Sequence, residues 1–200
     1  MWSIVQAAGW PIWFLIVTSV VAVALIFERF RTLRTAQIVP ATALRQAISL
    51  LSQAPEPSEL SQLSMQGNIG PVMAAGVYAA PQGTAAMRLA MEDALHLESY
   101  KLNHYLPALS TISTVAPLLG LFGTVIGMIH IFVAQPGAMN TQQLSAGISE
   151  ALYNTALGIF VAIMAMLAHR YFCSRVEHFI MVIEATAGRL LREAQAKGFV

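Results

Sequence analysis

Charge is scarce in this sequence. Its 200 residues carry eleven Lys or Arg and ten Asp or Glu, 10% in all, where a soluble domain carries about a quarter. The mean hydropathy is +0.63. That balance excludes a soluble enzyme and a disordered tail. The single cysteine, Cys173, excludes an intramolecular disulfide and with it a stapled secreted scaffold. A net charge of +1 leaves no basic surplus for a phosphate-binding patch, so nucleic acid is not an expected partner. Catalytic signatures are missing as well: there is no HExxH, no CxxC pair, no P-loop and no GxSxG. No Ser and His spacing supports an intramembrane serine protease. His96, His104, His169 and His178 have no acidic or cysteine cluster beside them, so neither a metal nor another cofactor is expected. An enzyme is not the reading.

What charges there are stand in clusters, and the gaps between them define the fold. Residues 1–27 carry none, nor do 102–149 and 151–168. The second gap is too long for one span, and Pro136, Gly137 and Asn140 break it with turn formers. About 20 apolar residues cross a bilayer's hydrocarbon core. The expected class is therefore an all-α integral membrane protein with transmembrane helices at 10–29, 111–133 and 146–169. The first segment lacks the basic stretch that precedes a signal peptide's apolar core, and Arg29, Arg31 and Arg34 follow it instead. It reads as a retained helix.

Orientation follows from the basic residues, which mark the cytoplasmic side. All eleven fall in two segments: Arg29, Arg31, Arg34, Arg45, Arg88 and Lys101 in one, Arg170, Arg175, Arg189, Arg192 and Lys197 in the other. Residues 1–9 and the loop 134–145 are thus expected in the periplasm, and 30–110 and 170–200 in the cytoplasm. Trp2, Trp10 and Trp13 fit an outer interfacial belt. The pattern from Thr84 to Tyr105 is helical and is expected to run into the second span despite Pro107. Val176, Phe179, Ile180, Ile183, Ala187, Leu190 and Leu191 keep helical spacing beyond the third span. Nothing breaks a helix between Thr141 and Lys197, which predicts one rod of roughly 80 Å. Two of the three spanning helices thus extend far into the cytoplasm.

Within the spans, small and polar residues form stripes. Gly147, Glu150, Ala151, Asn154, Thr155, Gly158, Ala162 and Ala165 share one face at steps of three and four, with Ile148, Leu152, Ile159, Phe160, Ile163 and Leu167 opposite. Ser113, Pro117, Gly120, Thr124 and Gly127 repeat the pattern in the second span. Such stripes either let helices approach closely, as the Gly123 and Gly127 pair does in a GxxxG motif, or line an aqueous, proton-accessible path. A carboxylate at membrane depth is a functional candidate by default, and Glu150 is one. A relay across the membrane needs more titratable groups than Glu150 and His130. Either no proton passes, or another subunit supplies the missing carboxylate.

The run Ala116-Pro117-Leu118-Leu119-Gly120-Leu121-Phe122-Gly123-Thr124-Val125-Ile126-Gly127-Met128, with Gly147-Ile148-Ser149-Glu150-Ala151-Leu152 and Thr155-Ala156-Leu157-Gly158, resembles the MotA/TolQ/ExbB proton-channel family, its ExbB branch most of all. The Glu28-Arg29 pair closing the first span is similar too. The four-span MotA branch fits less well, and TolQ shares the layout. The resemblance implies a bacterial inner-membrane subunit that forms a homo-oligomeric ring, a pentamer, embedded in membrane lipids. It also implies a single-span ExbD-like partner inside that ring, whose membrane Asp fills the gap noted above, and coupling to a TonB-like protein. By the same resemblance Thr124, Glu150 and Thr155 face the proton pathway, with Pro117, Gly120, Gly123, Gly127, Gly147, Ala151 and Gly158 packing the pore wall. Met164 stands where relatives often carry Pro, which implies a straighter third helix.

Overall fold

The computed structural model describes residues 10–34, 38–53, 55–134 and 141–199. Residues 1–9 and the middle of the loop expected at 134–145 lie outside these. Among the described residues the chain is helical throughout, without a strand. Three stretches are long and apolar enough to cross a membrane: Ile12–Thr32, Thr84–Ile129 and Gly147–Ala196.

The helices are α1 (Ile12–Thr32), α2 (Ala41–Leu50), α3 (Pro57–Ser64), α4 (Ile69–Ala79), α5 (Thr84–Asn103), α6 (Leu106–Ala134) and α7 (Thr141–Ala196), with a short 3-10 turn at Ala80–Gln82. The rod expected after Thr141 is one helix of 56 residues. The continuous helix expected through Pro107 is interrupted: His104 and Tyr105 form a turn between α5 and α6. Proline has no N–H for the Asn103 carbonyl one turn back, and its ring collides with that oxygen. Further on, Pro117 is accommodated inside α6.

The chain divides into two compact units, Met1–Glu28 with Tyr105–Tyr171, and Arg29–His104 with Phe172–Val200. In the first unit, α1 buries Ile12, Leu15 and Ala22 along one stripe and exposes Trp13, Phe14, Val17, Val20 and Val23. Trp10 stacks edge-on against Phe122 at 6.0 Å. Ala116, Val161 and Ala162 form a buried cluster between α6 and α7. Large side chains of these helices point outward, among them Leu118, Phe122, Ile159, Phe160 and Leu167.

The second unit has the opposite habit. Ile38, Leu63, Ile69, Val72, Met73, Met87, Phe172, Phe179, Ile183 and Leu190 are all buried to within 1%, as large apolar groups are in water. The segment 52–71 supplies α3 and the start of α4. Pro57 opens α3, where its missing N–H costs nothing, and the Glu59 carboxylate accepts the Glu56 backbone N–H at 3.1 Å. Gly67 turns the chain with φ 62, a conformation that glycine adopts without steric cost. Gly70 then brings α4 so close to α3 that a Cβ would sit 2.3 Å from the Leu63 carbonyl oxygen. On α5 the inward positions are Met87, Met91, Glu98 and Leu102, while Leu89 and Leu97 face out. The buried Glu98 carboxylate accepts from Asn68 Nδ2 at 2.8 Å and from Lys101 Nζ at 2.6 Å. Arg29 is buried too, and its Nη1 donates to the Leu102 carbonyl at 3.1 Å, near the end of α5.

Candidate functional site

The striped faces of α6 and α7 meet within the first unit, running antiparallel. Ala116 and Gly120 of α6 lie against Gly158 of α7, Gly120 also against Thr155, Gly123 against Asn154 and Gly127 against Ala151. The approach is backbone to backbone. A Cβ added to Gly158 would stand 2.6 Å from the Ala116 carbonyl oxygen, and one on Gly120 would stand 2.8 Å from the Asn154 carbonyl oxygen. No side chain fits at either distance. Without a hydrophobic drive between helices in lipid, such close packing is what holds them together.

Thr124 and Thr155 sit at the margin of this contact, each half-buried. The Thr124 hydroxyl donates to the Leu121 carbonyl of its own helix at 2.7 Å. Ser113 and Thr114 behave likewise toward Ser110, at 2.7 and 2.8 Å. A hydroxyl bonded in this way satisfies its proton within the helix and still presents two oxygen lone pairs to water or a proton donor. Pro117 and Gly147 are half-buried, and Ala151 and Gly158 are buried. Glu150 lies on α7 one turn before Asn154; its side chain, like that of His130, is outside those described. The structure thus joins Gly120, Gly123, Gly127, Ala151, Thr155 and Gly158 in one contact and leaves the carboxylate's surroundings unstated.

One residue in the contact went unassigned in the sequence reading. Asn154 is 1% exposed, its amide seated against Gly123 of α6. The signal was available, because it is the one amide in the charge-free run from Ala151 to Ala168. The buried Glu98 and Arg29 of the second unit left no comparable trace; helical charges are usually solvated.

Residues 64–185 match the MotA/TolQ/ExbB proton channel family. Among curated relatives, the chain is 31% identical over 172 residues to biopolymer transport protein exbB1 of Vibrio cholerae, covering 80% of this chain and 74% of that one. It is 40% identical over 106 residues to Tol-Pal system protein TolQ of Haemophilus influenzae, covering 52% and 45%. A further 29% identity over 178 residues, 86% and 84%, links it to putative biopolymer transport protein ExbB-like 3 of Synechocystis. Against the TolQ relatives from Haemophilus influenzae and Pseudomonas aeruginosa, the match spans about half their length.

Proposed function

This chain belongs to the MotA/TolQ/ExbB proton channel family, and from that premise we propose that it is an ExbB-like subunit of an inner-membrane proton channel that energises TonB-dependent outer-membrane transport. Copies of the chain form a ring, a pentamer, around the single helix of an ExbD-like partner. The first nine residues and the loop near Gly137 face the periplasm; the second unit lies in the cytoplasm. Thr124, Thr155 and Glu150 line the proton path.

The observation that carries this reading is the margin position of the two threonines. The close α6–α7 contact is made by glycine, alanine, Asn154 and the Thr155 backbone, and both threonines stay half-exposed, open to a neighbouring copy or a partner helix. A charge crossing the membrane potential yields about 2.3 kcal/mol per 100 mV, so a few protons suffice to drive a conformational cycle. The partner's carboxylate completes the relay that this chain begins.

Thr124→Val and Thr155→Val keep volume and remove only the hydroxyl, and Glu150→Gln removes only the charge. Each is expected to abolish proton-driven uptake while membrane level and ring size stay normal. Hydrogen bonds between membrane helices average only about 0.6 kcal/mol, so a passive packing role predicts that all three are tolerated. Reporters fused after residue 60 are expected to read cytoplasmic, and near Gly137 periplasmic.

A TolQ-like subunit serving outer-membrane integrity is the second reading, favoured by the 40% and 37% identities to TolQ proteins. Complementation separates them: rescue of TonB-dependent uptake supports the first, and rescue of envelope integrity alone supports the second.

A further inference from the structure

We propose that Asn154 is a positioning residue that locks the register of α7 against α6, and so fixes where Thr155 and Thr124 stand toward the proton path; this rests on the function proposed above. Three observations carry it. The amide is 1% exposed in a span where a buried polar group is expensive unless its partners are in place. Its seat is a glycine: a Cβ on Gly123 would lie 3.0 Å from the Asn154 Cβ, 3.1 Å from Cγ and 3.1 Å from Nδ2, so the side chain rests on bare α6 backbone. And the residue that follows is Thr155, whose Cα lies 3.0 Å from the Cβ position of Gly120.

Gly120 and Gly158 exclude registers that would bring a side chain to their places, but among the registers that remain they supply no directional bond that selects one axial position. An amide can select it, since its hydrogen-bonding geometry is directional and its burial at membrane depth penalises every other register. One residue of slip would carry Thr155 around the helix and away from the margin.

The register can be read without any assay of function. A Cβ on Gly127 would lie 3.5 Å from the Ala151 Cβ, within the span of a disulfide. Gly127→Cys with Ala151→Cys, in a Cys173→Ser background and in membranes, is therefore expected to cross-link. The off-register pairs of Gly127→Cys with Gly147→Cys or with Thr155→Cys are not. Adding Asn154→Leu, which keeps the branched shape and removes the amide, is expected to spread cross-linking to the off-register pairs. The same substitution in the otherwise native chain is expected to lower proton-driven uptake without loss of the ring.

Asn154→Asp supplies the rescue. It is nearly isosteric, and Gly123, on which the side chain rests, carries no charge. The neutral acid at low pH is expected to restore the native pair and the ionised one at high pH to lose it, a pH profile absent from the native chain. Glu150, one turn away, couples to the new carboxylate, so the profile is read again with Glu150→Gln added, where the pH dependence is expected to persist. Native cross-linking retained in Asn154→Leu at all pH values overturns the lock. Native cross-linking lost, with uptake indifferent to Thr124→Val and Thr155→Val, leaves the lock standing and overturns the proton path it was meant to serve.

Discussion

Along α7 the rule for what points inward reverses. From 151 to 165 the buried positions are Ala151, Asn154, Gly158, Val161, Ala162 and Ala165, with Leu152, Phe160, Ile163 and Met164 outside. From 172 to 194 they are Phe172, Val176, Phe179, Ile183, Ala187, Leu190 and Ala194. The helix, its backbone and its spacing of three and four are the same. The first habit is the one expected in lipid and the second the one expected in water. Water drives large apolar groups inward, whereas lipid is indifferent to them and leaves close approach as the selecting force. The inside of a helix is set by what surrounds it, not by hydrophobicity as such.

That contrast can be broken residue by residue. The largest effect is expected from Phe179→Ala in the second unit, about 3–5 kcal/mol for the lost contacts and the cavity left behind, seen as a lower unfolding midpoint in detergent. Next comes a pair of outward residues. Phe160 is 63% exposed and Leu97 67%, yet Phe160→Lys should cost about 3–4 kcal/mol in membrane insertion, measured with a glycosylation or translocon reporter. Gly158→Ala follows, adding one methyl where 2.6 Å separates Cβ from backbone; overpacking of about 1–3 kcal/mol is expected, read as loss of thermal stability. The smallest is Leu97→Lys, which should change stability by less than about 0.5 kcal/mol. Equal losses from Phe160→Lys and Leu97→Lys would erase the distinction between the two solvents.

Much of this was legible in the sequence because it rests on runs. Charge-free stretches locate the spans, and the absence of breakers after Thr141 announces the single helix α7. In its tail Val176, Phe179, Ile183, Ala187 and Leu190 are the buried positions, with Ile180 and Leu191 half-buried beside them. Local competition was harder to read. Pro107 can bend a helix or end it, and only the surrounding packing decides; here it separates α5 from α6. On α5, Leu89 and Leu97 look like core residues, but the inward stripe runs 87, 91, 98, 102 and takes a glutamate instead. Glu98 is tolerable there because Asn68, thirty residues earlier, and Lys101 both reach its oxygens. Long-range polar pairing of that kind has no periodic signature. At the candidate site the family motif marked the threonines, whereas the enclosure of Asn154 depends on which glycine of α6 lies opposite.

The second unit is built from two separated pieces of chain, 29–104 and 172–200, and this fixes an order of events during synthesis. Its core needs Phe172, Phe179, Ile183 and Leu190 beside Val72, Met73 and Met87. Those partners are translated only after the intervening 105–171, a stretch that occupies the ribosome for roughly 3 to 13 s. Throughout that interval residues 29–104 hold an unfinished apolar surface. Synthesis of the later spans therefore precedes closure of the second unit.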